Sequence, residues 1–543
     1  VGARVRITAQ LICASDGFHV WSENFDRELD DIFVVQDEIA EKVGYALSAS
    51  LLGSGPHESM DVTLATTNTD AYDLYLQACK ERATYSFGGL RAAEDLLKGA
   101  LLIDPDFIEA KTELATSYIH QLETGLMDEQ EAYSKIIAIT DQVLAENPDD
   151  PVARAASVYA QAGVRRAQGD TTVNVELVRD LESIVVETPD ALQPRILLVR
   201  AYQGTQQNEK ALPVLHNALK LDPFNPAIHY ELGTAYLRLE NWDEARDSLE
   251  RSLEIEAQQP NAYTNLAFLQ LRAGDGVGFV TQFMNSIRVD PKDHELPGLL
   301  ASFLYQLGLV EVADDFRKRV LTLAPTSEVA YRAELLRAIA LGDESASIAS
   351  ARRAIEDDID ERRFSYSGAV QHLLRMAVRT GSVNEASRWI NERAPGIFDV
   401  ENDRAPQKYR LAQGVAFDTW YASLPREEVL RRLDALLEFG RKIGFDPKDD
   451  PYTYINVLAM RGEIEQAIEV GLERIFNGHV AANLGWRETF AQAQYAEIVA
   501  DPRVRTQFER WEQEEAALRT EVAAYFNDLR TASVSAPSSG SRL

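Results

Sequence analysis

Two cysteines, Cys13 and Cys79, are all that 543 residues contain. They fall in what read as different domains, so neither a disulfide framework nor a thiolate metal site is indicated. Long apolar runs are missing as well. No stretch approaches the roughly 18 residues that crossing a bilayer takes, and the first residues lack the basic-then-apolar layout of a signal peptide. Positive charge is scarce, with 55 Lys and Arg against 86 Asp and Glu, a net charge of −31 spread along the chain. Such a surface repels a polyanion, so nucleic acid is not expected as a partner of this segment. The eight histidines include no i,i+4 pair and no His-Glu-x-x-His run, which argues against a zinc site. No nucleophile, base and oxyanion donor stand together in the sequence either. No catalytic residue, cofactor or metal is therefore expected in this chain.

What is present is an ordinary folding composition, 45% hydrophobic and 26% charged. The length exceeds what one compact core supports, so the chain is either several domains or an array whose core grows along one axis. From Val5 to Phe25 the residues alternate with period 2. Val5, Ile7, Ala9 and Leu11 share one face, Arg6, Thr8 and Gln10 the other, and Ser15-Asp16-Gly17 supplies a turn, which predicts a β-hairpin. Trp21 and Phe25 share one strand face and are expected in the core rather than as a ligand-stacking pair. Asp30-Asp31 then caps a helix with Ile32, Val35, Ile39, Val43 and Leu47 at helical spacing. Two strands and one helix bury too little to stand alone, so residues 1–52 are expected to be part of an α/β domain. Residues 53–67 read as a linker, 68–526 as helices joined by short turns, and 527–543 as a disordered Ser/Ala/Pro-rich tail.

The decisive pattern is a period. Prolines that end helices stand at Pro189, Pro223, Pro291 and Pro325, in steps of 34, 68 and 34 residues, with Ala257 in the one missing place. The unit from Pro226 carries Leu232-Gly233, Tyr236, Trp242, Ala245, Leu249 and Leu253. Small residues there let two helices cross closely while larger ones fill the sides. This resembles the tetratricopeptide pattern, departing from it at Ser252 and Ala257, and a 34-residue step is that family's signature. Shifted copies recur, the Gly-then-Ala spacing returns at Gly381/Ala386 and Gly462/Ala467, and earlier units end at Pro105 and Pro148 with longer helices or loops. The fold class expected is mainly α, a right-handed tetratricopeptide-repeat solenoid of about nine or ten units behind a partial α/β domain. Gly274-Asp275-Gly276-Val277-Gly278 lacks the Gly-Lys-Ser/Thr ending of a phosphate loop and falls at a turn inside a repeat. The acidic clusters at 357–361 and 446–450 lack the loop pattern of a calcium site and read as solvated turns.

Arg4-Val5-Arg6-Ile7-Thr8-Ala9-Gln10-Leu11-Ile12, Gly17-Phe18-His19-Val20-Trp21-Ser22-Glu23, Asp26-Arg27 and Gln36-Asp37-Glu38-Ile39-Ala40 resemble the end of the TolB-like amino-terminal domain of bacterial tetratricopeptide proteins. Thr69 to Leu76, Ala100 to Pro105 and Asp501-Pro502-Arg503 are similar to later parts of the same family. The resemblance implies a chain of the kind carried behind a class III adenylate cyclase or a winged-helix regulator domain, a regulatory region whose effector lies upstream. It implies a cytoplasmic setting, or a periplasmic or membrane-tethered one if a membrane helix precedes this segment.

Repeat arrays of this kind recognise proteins or peptides in their concave groove. Lining positions of the first helix of each unit give Arg200, Tyr230, Thr234, Arg238, Asn261, Thr264, Phe268, Arg272 and Tyr305 as the expected groove. Arg200, Arg238 and Arg272, beside Tyr230, Phe268 and Tyr305, either form a basic and aromatic strip suited to a carboxylate-bearing peptide or pair with local glutamates. Tyr230 and Thr264 stand where chaperone-tail-binding repeats carry lysine, which argues against that role.

Overall fold

The computed structural model describes residues 4–12, 19–28, 42, 66, 68–168, 170, 172–357, 364–393, 424–442, 446–484 and 486–535. Strands β1 (Arg4–Ile12) and β2 (His19–Glu28) form an antiparallel hairpin in which Ile7 faces Phe25 and Leu11 faces Trp21. Arg6 and Thr8 are exposed while Ile7 and Ala9 are partly covered, as the alternation requires. Phe25 is buried, with the Lys42 ammonium 5.1 Å from its ring centre. The expected helix around 30–47, Lys42 apart, and most of the linker lie outside the described residues. Those residues therefore support a hairpin here and not a partial α/β domain.

From Thr69 the chain is helical. Eight antiparallel helix pairs follow in sequence: α1 (Thr69–Ala83) with α2 (Phe87–Ile103), α3 (Ile108–Glu123) with α4 (Glu129–Glu146), α5 (Pro151–Ala167) with α6 (Val173–Glu187), α7 (Leu192–Gly204) with α8 (Asn208–Leu221), α9 (Pro226–Arg238) with α10 (Trp242–Ile255), α11 (Pro260–Arg272) with α12 (Gly276–Val289), α13 (Glu295–Gln306) with α14 (Val310–Leu323), and α15 (Glu328–Ala340) with α16 (Glu344–Glu356). The second helices end at Glu187, Leu221, Ile255, Val289 and Leu323, a constant step of 34 and always two residues before the expected punctuation site. Ala257 occupies that site as well as its proline counterparts do, because the helix has already ended. The residue that reverses the chain inside each pair keeps the same step. Gln206, Glu240, Gly274, Gly308 and Gly342 all have positive φ, and at Gln206 and Glu240 a side chain tolerates what glycine adopts freely. The first three pairs have helices of 15 to 18 residues, which accounts for their longer spacing.

The crossing inside α9/α10 shows why small residues sit there. A Cβ on Gly233 would lie 2.6 Å from Leu249 Cγ. Gly233→Val is therefore expected to cost roughly 1–3 kcal/mol by overpacking, read as a lower urea midpoint. The departure at Ser252 has its own reason. Fully buried, its hydroxyl donates to the Pro226 carbonyl at 2.8 Å, and Ser286 repeats the bond to Pro260 one unit later at 2.8 Å. In these two units a hydrogen bond thus joins the end of the second helix to the start of its own first helix.

After α17 (Phe364–Thr380) and α18 (Val383–Arg393), residues 394–423 lie outside the described set. The chain resumes with α19 (Arg426–Lys442), α20 (Pro451–Arg461), α21 (Ile464–Gly471) and a π turn at Leu472–Phe476. Short helices α22 (Trp486–Phe490) and α23 (Ala496–Ala500) lead into α24 (Pro502–Ser535). Helix α24 runs nine residues past the expected boundary at Phe526, since Leu529 packs on the core and Arg530 reaches Asp315 at 3.2 Å. No glycine or proline interrupts the chain before Pro537.

Two contacts turn the array back on itself. The Phe87 N–H donates to Asp290 Oδ2 at 2.5 Å and its ring meets the His294 ring edge-on at 5.7 Å, so the first unit touches the loop between the sixth and seventh. At the other end, α24 anchors Phe508 and Trp511 in an aromatic cluster with Phe476, Trp486 and Phe490. Its second half, with Leu518, Val522 and Phe526, joins the core of α12, α13 and α14.

Candidate functional site

Where the first unit meets the sixth, a cavity of about 410 Å³ opens inside the coil of the first six units. Its wall is built from the first helices α7, α9 and α11, from Tyr85 in the turn after α1 and Phe87 at the start of α2, from the end of α3 at Glu123, from the loop after α12 with Asp290 and Asp293, and from the start of α13 with Glu295 and Leu296. Of the nine expected groove residues, Arg200, Tyr230, Thr234, Arg238, Asn261 and Thr264 line it. Phe268, Arg272 and Tyr305 are not among its lining residues. Phe268 is half exposed and leans edge-on to Phe283 at 6.0 Å. The Arg272 guanidinium covers the Trp242 ring at 3.9 Å, tying one unit to the one before. Tyr305 is buried and its hydroxyl donates to Asp314 at 2.6 Å, an acid that also holds Arg317 and Arg337.

The arginines do not form a basic strip. Arg200 sits between two acids, with Nη1 2.7 Å from Glu123 and Nη2 3.2 Å from Glu231. Burial opposes its charge, but the two carboxylates outweigh that and hold its pKa well above the usual arginine value. Burial, countered only in part by Arg200 and reinforced by the like charge of Glu231, pushes the Glu123 carboxyl up to about 7. Of the expected trio, Arg238 alone points a charged group at the cavity without an ion pair among the described residues. The lining as a whole carries five carboxylates and two guanidiniums, so the cavity is acidic, the reverse of what a carboxylate-bearing peptide needs.

Several other polar groups of the wall have partners nearby. Thr234 and Thr264 donate back to the carbonyls of Tyr230 and Pro260 at 3.1 and 3.0 Å. Tyr85 lies 3.2 Å from His120 Nε2, with the two rings 4.4 Å apart, and burial holds that imidazole far below its ordinary pKa, so it is neutral. Gln203 is not among them: it is a buried wall residue whose Nε2 has no hydrogen-bond partner among the described residues. Tyr85, Phe87, Glu123, Gln203 and the 290–295 acids were not legible as site residues. They come from turns and unit ends, and the closure that gathers them spans 203 positions.

Asp293 gives the site a pH signature. It accepts from the backbone N–H of Glu295 at 2.6 Å and of Leu296 at 3.2 Å, yet burial raises its pKa from 3.8 to about 6, with Asp290 and Glu295 adding like charge. The folded chain therefore holds a proton that the unfolded chain releases between those values. The stability this contributes is complete below pH 3.8 and lost as pH rises to about 6. The swing is on the order of 3 kcal/mol. Asp293→Asn keeps an acceptor for both N–H groups, so the variant is expected to flatten the fall in urea midpoint between pH 4.5 and 7.

Residues 203–269 match the tetratricopeptide repeat family model. A putative adenylate cyclase 3 of Rhizobium meliloti (strain 1021) is 35% identical over 124 residues, 22% of this chain and 20% of that protein. BBSome complex member BBS4 of Bos taurus is 24% identical over 171 residues, 32% of each. The chain thus spans between about a fifth and a third of the length of these curated relatives. Among solved structures, the human IFIT1 dimer with m7Gppp-AAAA is 15% identical, covers 84% of this chain and 95% of its own, and gives a TM-score of 0.39. YrrB, a TPR protein with an unusual peptide-binding site, is 17% identical, with coverage of 32% and 90% and a TM-score of 0.26. Tetratricopeptide repeats are accordingly present over residues 203–269, and helix pairs of the same 34-residue step continue from there through α16.

Proposed function

We propose that this chain is a protein-interaction scaffold that takes a peptide or protein segment of its partner into the cavity enclosed by its first six units. The observation that carries the reading is the convergence of three successive first helices, α7, α9 and α11, with the first-unit turn on one concave wall that has aromatic, acidic and amide groups side by side. Such a wall offers the apolar contact and the few placed polar groups that recognition of a chain segment uses. The matching relatives add support, since BBS4 is by its name a member of a complex. The test is a photo-crosslinking residue placed at Asn261 in the cavity or at Glu250 on the outer face. A partner captured at 261 alone supports the reading; capture at 250 alone, or equally at both, overturns it.

A second reading is favoured by the 35% identity to a putative adenylate cyclase. On it, the solenoid is the regulatory region of a larger cytoplasmic signalling chain, and the hairpin is the last part of a TolB-like domain. The segment bound at the cavity then belongs to the same chain, and the Asn261 crosslink forms within one full-length polypeptide rather than between two.

A further inference from the structure

We infer that the group received by this cavity is a guanidinium, the arginine side chain of a bound peptide. The inference rests on the peptide-binding reading above and adds the chemistry of the ligand. Five carboxylates line the wall against two guanidiniums. One of the two, Arg200, is already shared between Glu123 and Glu231, and the other, Arg238, is exposed at the rim. The wall thus carries more carboxylates than its two guanidiniums can neutralise, and the buried one of the two is already committed to a pair of them.

The second observation is independent of charge. Gln203 is about nine-tenths buried and its terminal amide nitrogen finds no hydrogen-bond partner among the described residues. A polar group left unpaired in a wall costs on the order of 1–3 kcal/mol, a cost that a ligand able to bond to it removes. The nitrogen and oxygen of such an amide exchange places by a half turn, so Gln203 can present its oxygen to a donor. A guanidinium has five N–H donors in one plane and no acceptor, which suits a site of carboxylate and amide oxygens. Tyr85, Phe87 and Tyr230 add aromatic rings on which that plane can stack. A lysine ammonium supplies the charge but neither the flat face nor the fork.

The experiment uses the full chain and three fluorescein-labelled peptides, Gly-Ser-Xaa-Ser-Gly-amide, with arginine, its neutral isostere citrulline, or glutamate at Xaa. Fluorescence anisotropy is expected to show the arginine peptide bound at least tenfold more tightly than the citrulline one, with binding weakened by added salt. Gln203→Met is expected to lower that affinity about fivefold while leaving the urea midpoint unchanged or higher, since the unpaired amide is gone. Equal binding of all three peptides, or preference for glutamate, overturns the guanidinium and leaves peptide binding standing. Failure of all three to bind beside a partner crosslinked at Asn261 does the same. No peptide bound and no partner crosslinked removes both readings.

Discussion

Arg200→Met is expected to destabilise the first six units by about 3–5 kcal/mol, because it leaves Glu123 and Glu231 facing each other with no cation between them. The guanidinium is buried and touches α3 and α9 from α7, so three different units lose a common partner in one substitution. The loss should show as a lower urea midpoint at pH 7.5, and it should shrink as pH falls toward 5. Glu123 already titrates near 7 beside the cation, and without Arg200 its proton is held more tightly still. Adding Glu123→Gln and Glu231→Gln to Arg200→Met should recover most of the stability, since what costs energy is the unpaired charge and not the missing bridge. A triple variant as unstable as the single one would mean that packing of the arginine stem, and not electrostatics, is the larger part.

The second large effect lies at the far end. Trp511 is wholly buried against Phe476, Trp486 and Phe508, and its indole N–H donates to the Gly478 carbonyl at 2.8 Å. Trp511→Ala removes the largest fully buried side chain among the described residues and leaves the Gly478 carbonyl with Arg510 as its remaining side-chain donor, an expected cost of about 3–5 kcal/mol. Contacts in a repeat array are mostly between neighbours, so the damage should stay local. Hydrogen exchange should speed up through the π turn, α22, α23 and α24, while α3 to α8 keep their protection. Equal acceleration throughout would show that the two ends unfold as one.

The periodic part of this fold was legible because periodicity is local. Pro189, Pro223, Pro291 and Pro325 mark where second helices have just ended, and Ala257 keeps the step because helix phase, not proline, sets it. The first-helix faces were legible for the same reason, which is why Arg200, Tyr230, Thr234, Arg238, Asn261 and Thr264 fall on one cavity. What a period cannot carry is which neighbour a side chain finds. Arg200 reads as a groove residue until Glu123, two units earlier, and Glu231 are seen to hold it. Tyr305 occupies a first helix but turns to Asp314 on its own second helix. Asp290 and Phe87 give no sign in sequence that they meet, since nothing within a unit encodes how far the coil closes.

That closure restricts how such a chain can change length. In an open array a unit of 34 residues can be gained or lost at little cost, because each unit meets only the next. Here the Phe87 N–H and the Asp290 carboxylate lie on opposite sides of a fixed number of units. One unit inserted between α3 and α12 carries them past each other, breaks the bond and opens the wall that holds Tyr85 beside Tyr230. The same insertion beyond α16 leaves both in place. The unit count between α1 and α12 is thus set by geometry like the teeth of a closed gear, whereas the count further along is free to drift.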